Sequence, residues 1–445
     1  MTSSAIPNSE THDSAFAYVY GFPLVFNLEQ VLRFVTTGVG ANPAAPFNTF
    51  GHTRALATPE DTFVSVNNDT VYSVAQLDLS VGPVRLSVPD TGGRYYVLQF
   101  VDAWTNNFAY IGSRATGTGT GEFLLVPPGW EGDDQGLRVI GCPTRIATIV
   151  GRWAVTGDDL SAVHALQDAT TLTPLAASAP TGLPAIPTGL PKAIDFFEKF
   201  RVWSQALPPA LRDVPIQHSF ADLGLTGITS LSEASPELTA KLEAAYARGS
   251  EQVEEYARAM PGVDRVNGWM VSIHGFDYNN DAFEIGTIDA PEWKIADTEA
   301  RIVSRAASAR AGLWGNHGYE ATYALTYTDS TGSPLDGNHR YQLTLDPIPP
   351  VNAFWSLTMY SMPDFYLVDN PIGRYSIGDR TPGLITNPDG SLTLTIGHDE
   401  PTDPIERANW LPAPPAPFRP ALRMYVPRQP ILDGAYEIAP IVGIS

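Results

Sequence analysis

Hydrophobic and polar positions along this chain repeat with two different periods. Residues 12–36 place Phe16, Val19, Tyr20, Leu24, Leu28, Val31, Leu32 and Val35 at helical spacing. This predicts a helix, kinked or split at Pro23. A Pro- and Asn-rich loop, 38–60, follows. From Phe63 to Val155 the period falls to two. Phe63–Val66 and Val71–Leu79 read as strands, as do "RYYVLQFV", "EFLLVPP", "LRVIG" and "TRIATIVGRWAV". Gly, Pro and Asp turns separate them. That spacing leaves no room for crossover helices, so an antiparallel, sandwich-like sheet is expected.

Residues 158–172 read as a helix capped by Asp158 or Asp159. Residues 173–191 are a Pro/Ala-rich stretch suited to running along a surface, so the two β-rich ends are expected to pack together. Helices are expected to dominate 192–311. A second period-two region starts near Glu320, with strands in "YEATYALTYTD", "HRYQLTLD", "AFWSLTMYS" and "SLTLTIG". Asn387-Pro388-Asp389-Gly390 is a hairpin signal. The expected division is 1–172, 173–319 and 320–445.

Composition narrows the functions. The chain has 445 residues, 43% hydrophobic, and a net charge of −21. Such a charge repels phosphate backbones and anionic membrane surfaces, so nucleic-acid and membrane partners are not expected. No run of 18 apolar residues and no basic-then-apolar leader occurs, and a cytoplasmic location is expected. The lone Cys142 is expected to be an inert, buried thiol. Nucleophile-elbow, H-E-x-x-H, C-x-x-C and P-loop patterns are absent, and the eight His are scattered. Neither a metal nor a cofactor is therefore expected. "GTGTG", 117–121, has the wrong spacing for a phosphate loop.

Three polar clusters interrupt the strand pattern. Asn67, Asn68, Asp69 and Thr70 form a knot ahead of a strand. It is either a turn alone or, with Tyr72, a turn that also holds a water or a polar ligand group. In "RYYVLQFVD", Tyr96, Leu98 and Phe100 make the core row, and the next residue in that row is Asp102. Asp102 is either a rim residue capping a turn or a pocket carboxylate with Asn106, Asn107 and Arg114 as partners. In "VNAFWSLTMY", Val351, Ala353, Trp355, Leu357 and Met359 form a core face, and Asn352, Ser356, Thr358 and Tyr360 form a mostly polar one. The polar loop after it, with Asn370, Arg374, Tyr375, Asp379 and Arg380, is either an ion-paired structural loop or part of a site.

These stretches together resemble a family built from two paired domains of unknown function, numbered 1254 and 1214. The carriers are "VNNDTVYSVAQLDLS", "GGRYYVLQFVDAWTNNFAYIGSRATGTG", "FWSLTMYSMPDFYLVDNPIGRYSIGDRTPGL", "NPDGSL" and "NWLPAPPAPFRPALRMYVPR". The resemblance spans nearly the whole chain. It departs at Val66, where related sequences usually carry a Pro, and at "GLWGN" in place of a "GLGAN"-like stretch. It implies a mainly β fold: a jelly-roll-like N-terminal antiparallel sandwich and a C-terminal β-sandwich joined by a helical segment. It also implies hydrolysis of small molecules in some members.

Two function classes remain. One is a cofactor-free hydrolase or hydratase that activates water on a small, largely apolar molecule, for example by opening an epoxide. Asp69 and Asp102 would share acid and base roles near one another with Tyr72, and Asn67 and Asn68 would position water. Asn106, Arg114, Trp104, Tyr360, Arg374 and Tyr375 would contact the substrate. The other is a β-sandwich that binds a small molecule or carbohydrate without catalysis. Homo-oligomerisation is compatible with either.

Overall fold

The N-terminal helix runs unbroken over Ser14–Thr36 in the computed structural model, which describes residues 13–61, 65–157, 159–259 and 263–444. Pro23 lies inside this one helix and does not split it. The helix is buried nearly all round, including Val19, Leu24, Leu28 and Val31. It forms a core with helices Lys192–Ala206, Pro236–Ala259 and Thr298–Gly312, through residues such as Phe197, Phe200, Trp203, Leu242 and Ile302. Asp159 precedes the shorter helix Leu160–Ala169, while Asp158 lies outside the described residues.

The fold is mainly β and sandwich-like at both ends, with helices between. One N-terminal sheet has the order Phe50–His52, Thr70–Asp78, Ile146–Ala154, Tyr96–Asp102, Asn107–Gly112, all antiparallel. A second has the order Arg138–Gly141, Gly121–Val126, Val84–Val88, Thr171–Pro174. Apolar residues of both, including Val71, Leu98, Phe100, Trp153, Leu86 and Phe123, form a core cluster. Cys142 belongs to it, and burial pushes its thiol pKa up, as an inert thiol requires.

The C-terminal half repeats the plan. A six-stranded sheet runs Asp264–Val266, Trp269–Ser272, Ala321–Thr326, Phe418–Tyr425, Trp355–Ser361, Ser376–Gly378. A four-stranded one runs Trp410–Pro412, Leu392–Gly397, Arg340–Leu345, Val442–Ile444. Trp355, Leu357 and Met359 point into their shared core, as the alternation predicts.

Several details differ from the sequence reading. Two edge pairings are parallel, Phe123–Val126 with Arg138–Gly141 and Thr395–Gly397 with Trp410–Pro412. In each case the intervening loop or short helix carries the chain back to the same end of the sheet. Of the expected strand Phe63–Val66, Phe63 and Val64 lie outside the described residues; Ser65 has φ +54, and Ser65 and Val66 are not in a strand. The Asn387–Gly390 turn closes, with Gly390 at φ +90 and its N–H donating to the Asn387 carbonyl at 2.9 Å, but a ladder strand follows on one side only. Two strands, Asp264–Val266 and Trp269–Ser272, occur inside the region expected to be helical and extend the C-terminal sheet.

The two sandwiches pack against each other. Tyr95, Val97, Tyr110 and Ala154 of the N-terminal sheet meet Tyr319, Ala321, Phe354 and Tyr425. Phe354 stacks on Tyr425, with ring centroids 4.1 Å apart. This places the polar start of the Thr70–Asp78 strand against the polar face of the six-stranded sheet.

Candidate active site

The knot is a turn, and it is also more than a turn. Asn67 Oδ1 accepts from the Asp69 N–H at 2.6 Å, the short-range bond that Asn favours in turns. The same side chain reaches across the sandwich interface, where Asn67 Nδ2 donates to the Tyr425 hydroxyl at 3.1 Å and to Thr70 Oγ1 at 3.0 Å. Asn68 Nδ2 donates to the Ala57 carbonyl at 2.6 Å, fixing the loop ahead of the knot.

Asp69 is 5% exposed and lies where the two sandwiches meet. Its Oδ2 accepts from Ser356 Oγ at 2.6 Å and from the Tyr425 hydroxyl at 3.1 Å. Both donors come from the C-terminal sheet. Its Oδ1 has one ionic neighbour, the Arg380 guanidinium at 3.7 Å. Arg380 in turn sits over the Phe354 ring, 3.5 Å from its centroid, and donates to the Val155 carbonyl at 3.0 Å. Beside these groups is an open cavity of about 190 Å³, lined in part by Asn68, Asp69, Trp355, Ser356, Ser376 and Arg380. Among the described residues no acceptor meets the Trp355 indole N–H.

Asp379 precedes Arg380 and accepts from the Trp355 N–H at 3.2 Å. Burial raises its carboxyl pKa, and Asp69 adds a smaller push in the same direction. The residue is exposed on one side, so solvent screening limits that shift.

Asp102 is far from this place. The strands Thr70–Asp78 and Tyr96–Asp102 both pair with Ile146–Ala154, Thr70 opposite Ala154 and Asp102 opposite Ala147. At ~3.3 Å per residue the two carboxylates are on the order of 20 Å apart. The expected Asp69–Asp102 pair is therefore not formed. Strand direction separates them: the knot lies at the start of its strand, and Asp102 lies at the end of a strand running parallel to it.

Asp102 is a turn cap. Its Oδ1 accepts from the Trp104 and Asn106 N–H groups at 2.9 and 2.8 Å, and its Oδ2 accepts from Asn106 Nδ2 at 2.9 Å. Burial raises its pKa, while the bonds from Asn106 and Trp104 and the nearby Arg305 oppose the rise. Asn106 Oδ1 accepts from Arg305 at 3.0 Å. Trp104 fills the helical core and donates to the Leu207 carbonyl at 2.9 Å.

The other expected contacts divide in the same way. Tyr360 is fully buried at the interface, donating to the Val66 carbonyl and accepting from Arg423, both at 2.7 Å. Tyr72, on the strand that leaves the knot, lies under the Arg152 guanidinium, 5.5 Å from ring centroid to carbon. Arg114 pairs with Glu320 at 2.5 Å and lies over the Tyr319 ring. Arg374 spends its donors on the carbonyls of Ala408 and Trp410, at 3.1 and 2.8 Å, and so braces its own loop without an ion pair. Tyr375 packs in a small cluster with Tyr360 and Val66. Among the described residues no group of three or more His, Cys, Asp or Glu could hold a metal ion.

Sequence reasoning left out Ser356, Arg380 and Tyr425 as partners of Asp69. Ser356 was placed on the polar face, and Arg380 in the loop after it. Tyr425 had a weaker signal: Arg419, Arg423 and Tyr425 fall on one side of a strand whose other side is Phe418, Pro420, Leu422 and Met424.

The chain matches the model for a protein of unknown function, DUF1254, over residues 47–174, and the model for a second, DUF1214, over 320–429. It belongs to the family that pairs these two domains. Its fold is similar to that of the VPA0106 protein from Vibrio parahaemolyticus, with a TM-score of 0.74 at 22% identity over 97% of this chain and 99% of that one. An uncharacterized protein from Burkholderia cenocepacia aligns with a TM-score of 0.45 at 12% identity, over 97% and 89%. No curated protein matches. No helix among the described residues is long and apolar enough to cross a membrane.

Proposed function

We propose that the protein is a hydrolase or hydratase acting on a small molecule bound in the cleft between the two sandwiches, with Asp69 as general base. The observation that carries this reading is the asymmetry of Asp69. Two hydroxyls from the opposite sandwich hold Oδ2, while Oδ1 keeps only a long ionic contact beside a cavity. Such a carboxylate is oriented by one oxygen and free to take a proton with the other. Arg380 would face the negative charge that develops on the oxygen whose bond to carbon breaks. The proton that Asp69 takes from water would return to the opened oxygen, a role that Asp102, at the far end of the sheet, cannot share. Opening of an epoxide, or water addition to a similar small and largely apolar molecule, fits one carboxylate and one guanidinium lining the same cavity. The buried lone Cys142 suits a reducing, cytoplasmic setting.

The test is a calorimetric screen of small epoxides, esters and lactones against the protein and its Asp69→Asn variant. Turnover that Asp69→Asn removes supports the reading. Turnover that survives in the variant overturns it. A second reading, binding without catalysis, draws on the remoteness of Asp102 from Asp69. Saturable binding in the cleft, with no product from any ligand, would favour it.

A further inference from the structure

Buried arginines in this protein fall into two groups. Arg201 pairs with Glu198 at 2.7 Å, Arg301 pairs with Asp213, and Arg305 lies 3.6 Å from that same Asp213. Arg152, Arg419 and Arg423 are equally buried, at 7, 5 and 6% exposure, yet no salt bridge reaches them among the described residues. All three lie on the strand faces that the sandwiches turn toward each other. A buried cation without a counter-ion is costly; Arg423 lies within electrostatic reach of Asp69, whereas Arg152 has Tyr72, Tyr323 and Tyr95 as its ionisable neighbours, and it is Arg152 that calls for an explanation.

Arg152 is the clearest case. Its hydrogen bonds go to Gln99 Oε1 at 2.7 Å, Asn316 Oδ1 at 3.2 Å and the Trp314 carbonyl at 3.0 Å, all neutral acceptors. Tyr72 lies directly opposite it in the neighbouring strand, and Tyr323 faces it from the other sandwich. Tyr323 is itself the strand partner of Arg423, so it stands between the two cations. Asn316 is 1% exposed; the Tyr323 hydroxyl lies beside its side chain, and no acceptor among the described residues meets its amide nitrogen in good hydrogen-bond geometry. The acceptors around Arg152 are all neutral, and the Tyr72 and Tyr323 hydroxyls and the Asn316 amide stand beside it as further donors. Tyr72 and Tyr323 are only half-buried, so one side of the cluster remains open.

We propose that this cluster binds the carboxylate of a small organic acid, through the Arg152 guanidinium, the Tyr72 and Tyr323 hydroxyls and the Asn316 amide nitrogen. A planar monoanion matches one guanidinium fork flanked by neutral donors. The surrounding rings, Tyr72, Tyr323 and Tyr425, suit an apolar body attached to that carboxylate. The proposal stands on residues other than Asp69 and holds whether or not Asp69 performs chemistry.

Isothermal titration of the full chain with sodium benzoate tests it, with benzamide as the uncharged counterpart. Benzoate is expected to bind saturably and benzamide not at all. Tyr72→Phe and Tyr323→Phe, which remove only a hydroxyl each, are expected to weaken benzoate by about tenfold. Equal binding of benzamide, or benzoate binding that both Phe variants leave unchanged, would overturn the proposal. Binding of inorganic phosphate in place of benzoate would overturn the carboxylate assignment.

Discussion

At the scale of single residues, two aspartates that look alike in sequence behave differently. Asp69→Asn can keep its oxygen toward Ser356 and Tyr425 and turn its new amide toward the cavity. The expected stability change is within about 1 kcal/mol, with loss of function. Asp102→Asn has no such escape, because all three donors around it stay in place and Arg305 fixes the Asn106 amide. It should cost about 1–3 kcal/mol in urea unfolding and leave the cleft chemistry intact. The reverse pattern would reinstate Asp102 as the functional group. His317 gives a second residue-scale expectation. Burial lowers its pKa to about 4, with Arg114 adding to the shift and Asp277 opposing it. The folded protein then holds this imidazole neutral while the unfolded chain binds a proton below about 6.5. Stability should therefore fall as pH drops from about 6.5 to about 4, and level off below that for this group. His317→Gln should flatten that part of the profile in denaturant titrations across pH. An unchanged slope would exclude His317 as its source.

At the scale of elements, the sequence was readable where alternation is pure and unreadable where polar residues sit on a buried face. Tyr96, Leu98 and Phe100 announced their strand and its core side. The Phe418–Tyr425 strand, central to the six-stranded sheet, was not announced, because Arg419 and Arg423 occupy positions that a core strand gives to apolar residues. Their burial depends on the partner sandwich, which no local pattern reports. Asn107–Gly112 was hidden for a similar reason: its leading Asn packs into a buried network with Gln99. Pro23 misled the other way, since contacts on all sides of the Ser14–Thr36 helix hold it in one piece. That helix also ties the Asp102 turn in place. Asn27 Nδ2 donates to the Ala103 carbonyl at 3.0 Å, and its Oδ1 accepts from the Trp314 indole at 2.8 Å. Asn27→Leu would leave the Ala103 carbonyl and the Trp314 indole N–H without this partner. A loss of about 2–4 kcal/mol in denaturant unfolding is expected, and a loss under about 0.5 kcal/mol would show that water replaces Asn27.

At the scale of the whole molecule, the site exists only because the halves are joined. Asp69 comes from one sandwich and its hydroxyl partners from the other, so the knot could be read as polar but its purpose could not. The segment between the sandwiches stitches both of them. Trp269–Ser272 extends the C-terminal sheet, while the Glu284 N–H donates to the Phe108 carbonyl at 2.9 Å and the Ile285 carbonyl accepts from the Tyr110 N–H at 2.8 Å on the edge of the N-terminal one. Phe354, between Arg380, Tyr95 and Tyr425, is the apolar centre of the contact. Calorimetry of the intact chain should show one transition. Phe354→Ala should remove about 3–5 kcal/mol and lower that transition without dividing it, because losing either sandwich exposes the apolar face that the other buries. Two resolved transitions, with only one shifted by Phe354→Ala, would mean that the sandwiches unfold separately. The cleft would then be a contact between independent domains, and ligand affinity should fall steeply as soon as the first of them melts.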